Sequence, residues 1–213
     1  MAVAGFAVAA FGFYAWLLLA RDDGLATYAY DQAFFQQLVW NLDQGRWFVS
    51  SFSPGSFLGL HFEPLLVLPA VFELLWPDAR MLSLLAAAAI GALAPAAFGF
   101  LRSLTGRPVL AAALAAPLPF WPALQEAARA GFHPEVIGVV LALLAGWAGL
   151  ERRPVPCWIL ALLALTAKED QAWNVLVVGL ALATAADRTV RPLGIRLSVV
   201  AVLSGAVMTG LVQ

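Results

Sequence analysis

Polar side chains able to do chemistry are few in this chain, and they fall in four short stretches. Two stretches place a histidine two residues before a glutamate, a third is a run of three charged residues, and the fourth holds an isolated aspartate: His61 and Glu63, His133 and Glu135, Lys168-Glu169-Asp170, and Asp31. A carboxylate accepts a proton, a lysine or arginine holds a phosphate group, and imidazole with carboxylate binds a divalent metal ion. These residue types predict a site for a polar substrate, with or without a divalent metal ion.

Each stretch also has a structural interpretation, and the sequence alone leaves both open. Asp31 precedes an amphipathic helix whose apolar stripe starts at Phe34 and Phe35, so it could cap that helix. The charged triplet could form a solvated turn. The histidines could be hydrogen-bonded structural residues or substrate contacts, because one intervening residue is an unusual spacing for metal ligands on a helix. His61 and His133 are the candidate metal ligands.

The composition excludes a water-soluble globular domain. Of 213 residues, 62% are hydrophobic and 12% are charged, whereas soluble domains carry about 25% charged residues. The net charge of −1 indicates no nucleic-acid partner, and the one cysteine permits no disulfide within the chain. The class that fits is an all-α integral membrane protein, with the lipid bilayer as its main partner.

Apolar runs between the polar stretches predict about seven transmembrane helices in one membrane domain, residues 1–213. The run from Val155 to Ala186 is about 32 residues, too long for one helix across a core of about 30 Å, so the charged triplet should divide it. The predicted spans cover residues 2–20, 81–101, 108–125, 135–150, 155–168, 171–186 and 193–212.

The segment from Phe57 to Trp76 decides the topology, because its longest uncharged apolar run has only 8 residues. If it does not cross and the N-terminus is cytoplasmic, the loops at 102–107, 151–154 and 187–196 lie inside, with seven arginines against two acidic residues. The other polar stretches then lie outside, as the positive-inside rule requires. We therefore expect a large outer loop at about 21–80 with interfacial helices. A crossing segment with the N-terminus outside is the alternative.

The stretches that match a known pattern cover about residues 1–200. They are Tyr30-Asp31-Gln32 with Phe35, Gln37, Trp40-Asn41 and Gly45, then His61-Phe62-Glu63-Pro64, Phe132-His133-Pro134-Glu135 and Lys168-Glu169-Asp170. With a first helix and a large outer loop before them, they resemble the conserved module of the GT-C superfamily, membrane glycosyltransferases that use lipid-linked sugars. They look closer still to a bacterial and archaeal family of predicted membrane proteins, a domain of unknown function generally placed near the GT-C enzymes.

The resemblance implies a transfer reaction outside the cytoplasmic leaflet of a bacterial or archaeal cytoplasmic membrane. In GT-C enzymes an aspartate of the first outer loop is the general base for an acceptor hydroxyl, which attacks a polyprenyl-phosphate sugar with inversion, and Asp31 matches that position. The resemblance further implies that Lys168 or Arg129 holds the donor phosphate. The remaining candidates would orient the sugar or the acceptor, or hold a metal: His61, Glu63, His133, Glu135, Glu169 and Asp170.

Two departures from the GT-C pattern leave a second function open. The paired acidic motif common in these enzymes does not clearly stand beside Asp31, and the last predicted helix runs to Gln213 without the helices or outer domain that usually follow. We therefore expect a truncated form that lacks a C-terminal module, or one piece of a larger membrane complex. The alternative function is a non-catalytic structural or accessory subunit. A transporter ranks last, because the inner halves of the spans hold almost no polar residues.

Overall fold

The computed structural model describes residues 2–26 and 29–212, except the side chains of Ala29, Tyr30 and Ser53. Within that part the chain is helical, with one short antiparallel hairpin. The helices are α1 (Ala2–Asp23), α2 (Ala29–Asp43), α3 (Val67–Leu75), α4 (Arg80–Thr105), α5 (Pro108–Ala115), α6 (Pro122–Ala130), α7 (Pro134–Leu150), α8 (Pro154–Leu165), α9 (Gln171–Ala183) and α10 (Arg191–Leu211). The strands are β1 (Val49–Ser50) and β2 (Ser53–Ser56), and 3-10 turns cover Phe57–Gly59, Pro64–Leu66 and Leu118–Phe120.

Long apolar helices dominate the fold. Within the described residues, four helical stretches are long and apolar enough to cross a membrane: Ala2–Asp23, Arg80–Thr105, Pro108–Ala130 and Arg191–Leu211. Shorter apolar helices cover Pro64–Leu75, Pro134–Leu150, Pro154–Leu165 and Gln171–Ala183. These helices have the length and character of an all-α membrane protein, as the sequence predicts. The number of seven spans stays a prediction.

The charged triplet divides the long apolar run, as predicted. Helix α8 ends at Leu165 and α9 begins at Gln171, with the triplet between them. At 1.5 Å per residue, α8 and α9 are about 18 and 20 Å long, which is less than the core thickness of about 30 Å. Neither helix alone is therefore long enough to cross a core of that thickness.

The predicted span at 108–125 is not one continuous helix. Helix α5 ends at Ala115, and a 3-10 turn precedes the start of α6. Pro117 and Pro119 cause the break, because proline lacks the amide N–H and clashes with the preceding turn of a helix. The hydroxyl of Tyr14 on α1 donates a hydrogen bond to the carbonyl oxygen of Pro119 at 2.6 Å. This bond satisfies a carbonyl group that the broken helix leaves without a partner.

Helix α4 is the centre of the bundle, with α1, α5 and α7 packed against it. Contact with α7 depends on glycines: a Cβ atom at Gly99 would lie 2.6 Å from the ring of Trp147, and one at Gly146 would lie 2.7 Å from that of Phe100. Small residues allow close backbone approach, which is how helices associate where water supplies no driving force. This packing sets the position of α7, which carries Glu135 in its first turn.

Two ion pairs mark the two ends of the bundle. Arg152 pairs with Asp187 at 2.8 Å, and Lys168 pairs with Glu135 at 2.5 Å. Glu135 lies at the start of α7 and Arg152 just after its end, so the two pairs lie at opposite ends of this helix. Each pair lies among a different set of connections between helices. We call these regions the arginine end (residues 102–107, 151–153 and 184–191) and the histidine end (residues 61–63, 131–135 and 166–171).

Helix α2, the hairpin and α3 form a layer at the histidine end. Helix α2 is the amphipathic helix that the sequence predicts, and its apolar stripe is buried in the core: Phe34, Phe35, Leu38, Val39 and Leu42. The hairpin, which the sequence does not reveal, is tied to α2 by polar side chains. Asn41 donates to the carbonyl oxygen of Val49 at 2.7 Å, and Gln37 Oε1 accepts from the hydroxyl of Ser50 at 2.7 Å.

Candidate functional site

Six of the predicted site residues meet at the histidine end, although they come from three separate parts of the chain. One part is the turn before the 3-10 segment Pro64–Leu66, the second is the first turn of α7, and the third is the connection between α8 and α9. We call this group the polar cluster: His61, Glu63, Glu135, Lys168, Glu169 and Asp170. Its convergence is a result of tertiary packing, since the three parts are far apart in sequence.

Glu169 and Lys168 hold the polar cluster together. The two oxygens of Glu169 accept from His61 Nδ1 and from the backbone N–H of Phe62, each at 2.9 Å. Lys168 Nζ donates to Glu135 Oε1 at 2.5 Å and lies 4.0 Å from Glu63 Oε1. The connection between α8 and α9 is therefore clamped to the turn at 61–62 and to α7.

Backbone contacts explain why these side chains reach each other. The N–H of Leu65 donates to the carbonyl oxygen of Thr166 at 2.9 Å, which joins the 3-10 turn to the end of α8. A Cβ atom at Gly138 would lie 2.7 Å from Gln171 Oε1 and 2.8 Å from the Cβ of Ala167. The lack of a side chain at Gly138 therefore lets α7 touch the connection between α8 and α9.

Burial keeps part of the polar cluster uncharged. Glu63 is 1% exposed, and burial, reinforced by the charge of Glu135, raises its pKa to about 9. Burial also raises the pKa of Asp170, although the hydrogen bond from Gln171 by itself lowers that pKa. Glu63 therefore carries a proton at neutral pH, and its Oε2 is buried without a hydrogen-bond partner among the described residues.

Hydrogen bonds favour the charged forms of Lys168 and Glu169. Burial alone would lower the pKa of Lys168, but its hydrogen bond to Glu135 and the negative charge there raise it. Burial alone would raise the pKa of Glu169, but the hydrogen bonds from His61 and from backbone N–H groups lower it. The polar cluster thus contains an ammonium–carboxylate pair and a second carboxylate beside a neutral Glu63.

Replacing Glu63 by glutamine is expected to raise stability at alkaline pH. Folded Glu63 keeps its proton up to about pH 9, whereas the unfolded chain loses it near pH 4.5. Between these values the unfolded state binds fewer protons, so the free energy of unfolding of the parent protein falls as pH rises. The glutamine variant, which cannot ionise, should melt about 10 °C higher than the parent at pH 8.5 and within about 3 °C of the parent at pH 5.

Thermal unfolding of the purified protein in detergent measures this difference. Glu126→Gln is the matched control, because Glu126 is exposed and has only a loose contact of 3.8 Å with Arg129. Its melting temperature should follow that of the parent at both pH values. A Glu63→Gln variant that melts below the parent at pH 8.5 would show that the folded state holds Glu63 ionised.

The two histidines lie on opposite sides of a pair of aromatic rings. His61 contacts Phe57 with ring centroids 5.9 Å apart, Phe57 contacts Phe35 at 6.2 Å, and Phe35 contacts His133 at 6.2 Å. His133 Nδ1 lies 3.2 Å from the carbonyl oxygen of Gly131. In the part of the chain that the structure describes, no three His, Cys, Asp or Glu side chains are grouped to hold a metal. A metal at His61 and His133 stays a prediction without geometric support.

Asp31 lies inside the first turn of α2, which begins at Ala29, so it does not precede the helix as a cap would. Its side chain is half-buried and makes no hydrogen bond among the described residues. Phe35, four residues on, shares its helix face and contacts His133. Asp31 is therefore a carboxylate with free acceptor capacity on the side of α2 that faces the histidine end.

Arg129 lies close to the start of α2, at the end of α6. The N–H of Phe132 donates to Gln32 Oε1 at 2.9 Å, which fixes the connection after α6 against α2 beside Asp31. Arg21 donates to the carbonyl oxygen of Arg129 at 3.1 Å. The side chain of Arg129 is exposed. Of the two predicted phosphate ligands, Arg129 is accessible, whereas Lys168 is occupied by carboxylates.

An apolar groove of about 610 Å³ leads from the side of the bundle to the polar cluster. It runs between α9 and α10, where Gly205 and Ala201 leave space, and it ends at Glu169 and Asp170. Trp173 also lines it. The groove therefore joins the polar cluster to the surface that α9 and α10 share.

A further set of polar residues was not predicted from the sequence. Gln36 donates to Glu73 Oε1 at 3.0 Å, and both lie on a groove at the face of α2 away from the polar cluster. Gln36 stands off the apolar stripe of α2, and Glu73 interrupts an apolar run. Neither position forms a motif, so only the packing of α3 on α2 reveals that they belong together.

One family model matches this chain, and it is described as "Predicted membrane protein (DUF2079)". The match covers residues 21–213, which includes α2, the polar cluster and all helices that follow. No curated protein and no solved structure gives a significant match.

Proposed function

The chain belongs to the DUF2079 family of predicted membrane proteins, and from its site we propose that it is a GT-C-like glycosyltransferase module. It transfers a sugar from a polyprenyl-phosphate donor to an acceptor on the extracytoplasmic side. The observation that carries this proposal is the placement of Asp31, a half-buried carboxylate with no hydrogen bond among the described residues, on α2. Phe132 ties this helix to the connection after α6, the helix at whose end the side chain of Arg129 is exposed.

The reaction uses these groups in distinct roles. Asp31 takes the proton of the acceptor hydroxyl while that oxygen attacks the anomeric carbon. The bond from this carbon to the phosphate oxygen breaks, and the electron pair leaves with polyprenyl phosphate, so the configuration inverts. Arg129 stabilises the charge that develops on the leaving phosphate. The groove between α9 and α10 gives a lipid-borne substrate access.

The remaining predicted residues orient the sugar and the acceptor. His133 presents its ring beside Phe35, and the polar cluster offers the Glu169 and Glu135 carboxylates. Hydroxyl-rich molecules are held by such mixtures of acceptors and donors, because every hydroxyl group needs a partner when it leaves water. No step of the proposed reaction requires a metal ion.

The same proposal includes the predicted topology of one membrane domain, residues 1–213, with seven spans and a cytoplasmic N-terminus. Both flanks of the segment at 57–76 support it. The N–H of Phe62 bonds to Glu169 on one flank, and Arg80 pairs with Asp23 at 2.7 Å on the other. A segment whose two flanks lie at the same end of the bundle turns back instead of crossing. The arginine end then faces the cytoplasm, as the positive-inside rule requires.

The second candidate function is a non-catalytic subunit of a larger membrane complex. The observation that favours it is the internal pairing of the polar cluster, in which Lys168 with Glu135 and His61 with Glu169 satisfy one another. Such pairs can hold three helices together without any substrate. Isolation of the protein from its native membrane in a mild detergent would distinguish the two, because a subunit would copurify with fixed partners and show no transfer.

Transfer by the purified full chain in liposomes tests the first function. The probes are radiolabelled polyprenyl-phosphate sugars with neutral polyol acceptors, and release of polyprenyl phosphate is measured. Arg129→Gln is expected to lower kcat/KM for the donor about 10-fold, through both a raised KM and a lowered kcat. The substitution removes a charge-assisted hydrogen bond to the donor phosphate, and this bond strengthens as charge develops on the leaving group.

Arg107→Gln is the matched control, because Arg107 is exposed at the arginine end, far from the proposed site. Its KM should equal that of the parent. An unchanged KM in Arg129→Gln together with a raised KM in Lys168→Met would assign the phosphate to Lys168 instead.

A further inference from the structure

We infer that the face of α2 away from the polar cluster carries a second site, a groove that binds a neutral saccharide. The groove has a volume of about 700 Å³, within the usual range of sites for small molecules. Its polar lining comes from the end of α1, from α2 and from α3: Asp22, Gln32, Gln36, Gln37, Trp40 and Glu73. This inference is independent of the transfer reaction and does not involve Asp31.

Three buried oxygen atoms of this groove lack a donor. Among the side chains that the structure describes, Asp22 Oδ1, Gln36 Oε1 and Glu73 Oε2 are buried without a hydrogen-bond partner. Glu73 is 3% exposed, yet only its Oε1 is bonded, to the amide of Gln36. A buried acceptor without a partner costs about 1–3 kcal/mol, so a ligand that supplies donors to these atoms is bound favourably.

The spacing of these acceptors favours a ligand with several donors. Glu73 is joined to Gln36, whereas Asp22 is joined to Gln32 through the hydroxyl of Ser83. Gln32 and Gln36 are one helical turn apart, about 5.4 Å along the axis. The two carboxylates are thus held from successive turns of α2, and a ligand with several donors, such as the hydroxyl groups of a sugar ring, suits both.

The aromatic lining agrees with a saccharide. Trp40 is 46% exposed at the groove, and the Arg46 guanidinium lies 4.8 Å from its ring centroid. An aromatic ring with an apolar body suits the C–H face of a sugar, while glutamines and carboxylates take its hydroxyl groups. The groove therefore combines the two kinds of contact that a neutral saccharide needs.

Saturation-transfer NMR on the full chain in nanodiscs tests this site with three neutral disaccharides, maltose, cellobiose and trehalose, and with choline as an organic cation. At least one disaccharide should bind the parent protein. Its affinity should fall about 10-fold in Glu73→Gln and in Asp22→Asn. In each variant the oxygen that already accepts a hydrogen bond is kept, while the unpartnered carboxylate oxygen becomes an amide nitrogen.

Asp43→Asn is the matched control, because it changes a carboxylate of the same helix outside the groove, and it should bind as the parent does. Unfolding temperatures identify a variant that fails to fold, and Asp22 is the less buried of the two sites. Binding of choline alone, binding of none of the probes, or equal affinity in the parent and both variants would each overturn the inference. Since no transfer is measured, an inactive protein that binds a disaccharide would refute only the proposed transferase function.

Discussion

Asp31→Asn is expected to lower kcat for sugar transfer about 10³-fold while the KM for the donor stays within about twofold of the parent value. Asparagine has nearly the same shape as aspartate, but its amide does not take a proton from the acceptor hydroxyl. Asp31 makes no hydrogen bond among the described residues, so the substitution removes no contact that supports the fold. The loss should therefore appear in the chemical step alone.

Asp43→Asn is the control for this experiment, since it removes a carboxylate from the last turn of the same helix. It should retain the parent kcat, and both variants should unfold at the parent temperature. Equal transfer by the parent and Asp31→Asn would remove Asp31 from the role of base. Loss of transfer in Asp43→Asn as well would point to a requirement for the whole helix rather than for one carboxylate.

The positions that the sequence predicts well are those where one physical cause dominates. The apolar stripe of α2 from Phe34 to Leu42 follows helical periodicity, and the structure buries it. The division of the long apolar run at Lys168 follows from the cost of charge within an apolar layer. The same cost places the polar stretches at the ends of helices, which explains why so many predicted site residues share one end.

Other features depend on contacts that no local pattern encodes. The break in the helix at 108–125 has a local cause in Pro117 and Pro119. The apolar run around these prolines is long enough for one span, and for that reason the sequence predicts a continuous helix there. The partner of Lys168 is Glu135 on α7, although Glu169 stands next to it in sequence. The direction of the Lys168 side chain in the folded protein determines which of these two carboxylates it pairs with.

The groove between α2 and α3 is the clearest case of a feature that the sequence does not predict. Gln36 and Glu73 are 37 positions apart, and each has an ordinary interpretation as a polar residue at a helix surface. Only the packing of α3 against α2 buries their oxygen atoms and leaves some without donors. Sequence periodicity predicts which face of α2 is apolar, but not what covers the opposite face.

Lys168→Met is expected to lower the free energy of unfolding by about 3 kcal/mol, a larger loss than the removal of an exposed ion pair would cause. Lys168 is the only cation that the structure places within 4.0 Å of Glu135 and Glu63 among the described residues. Without it, the largely buried Glu135 carboxylate loses this cationic partner, and an unpaired buried charge is costly. The double variant Lys168→Met/Glu135→Gln removes both charges and should regain most of the loss.

Arg152→Ala is the matched control, because Arg152 pairs with Asp187 at 2.8 Å, a distance close to that of the Lys168 pair, but on the exposed surface of the arginine end. Its cost should be below about 1 kcal/mol, since water screens an exposed pair. Chemical unfolding in mixed micelles measures the parent, the single variants Lys168→Met and Glu135→Gln, the double variant, and Arg152→Ala. If the cost of the double variant equals the sum of its two single costs, the pair contributes no coupling. The polar cluster would then be a set of independent groups, and the contact of α7 with the α8–α9 connection would depend on the close packing at Gly138.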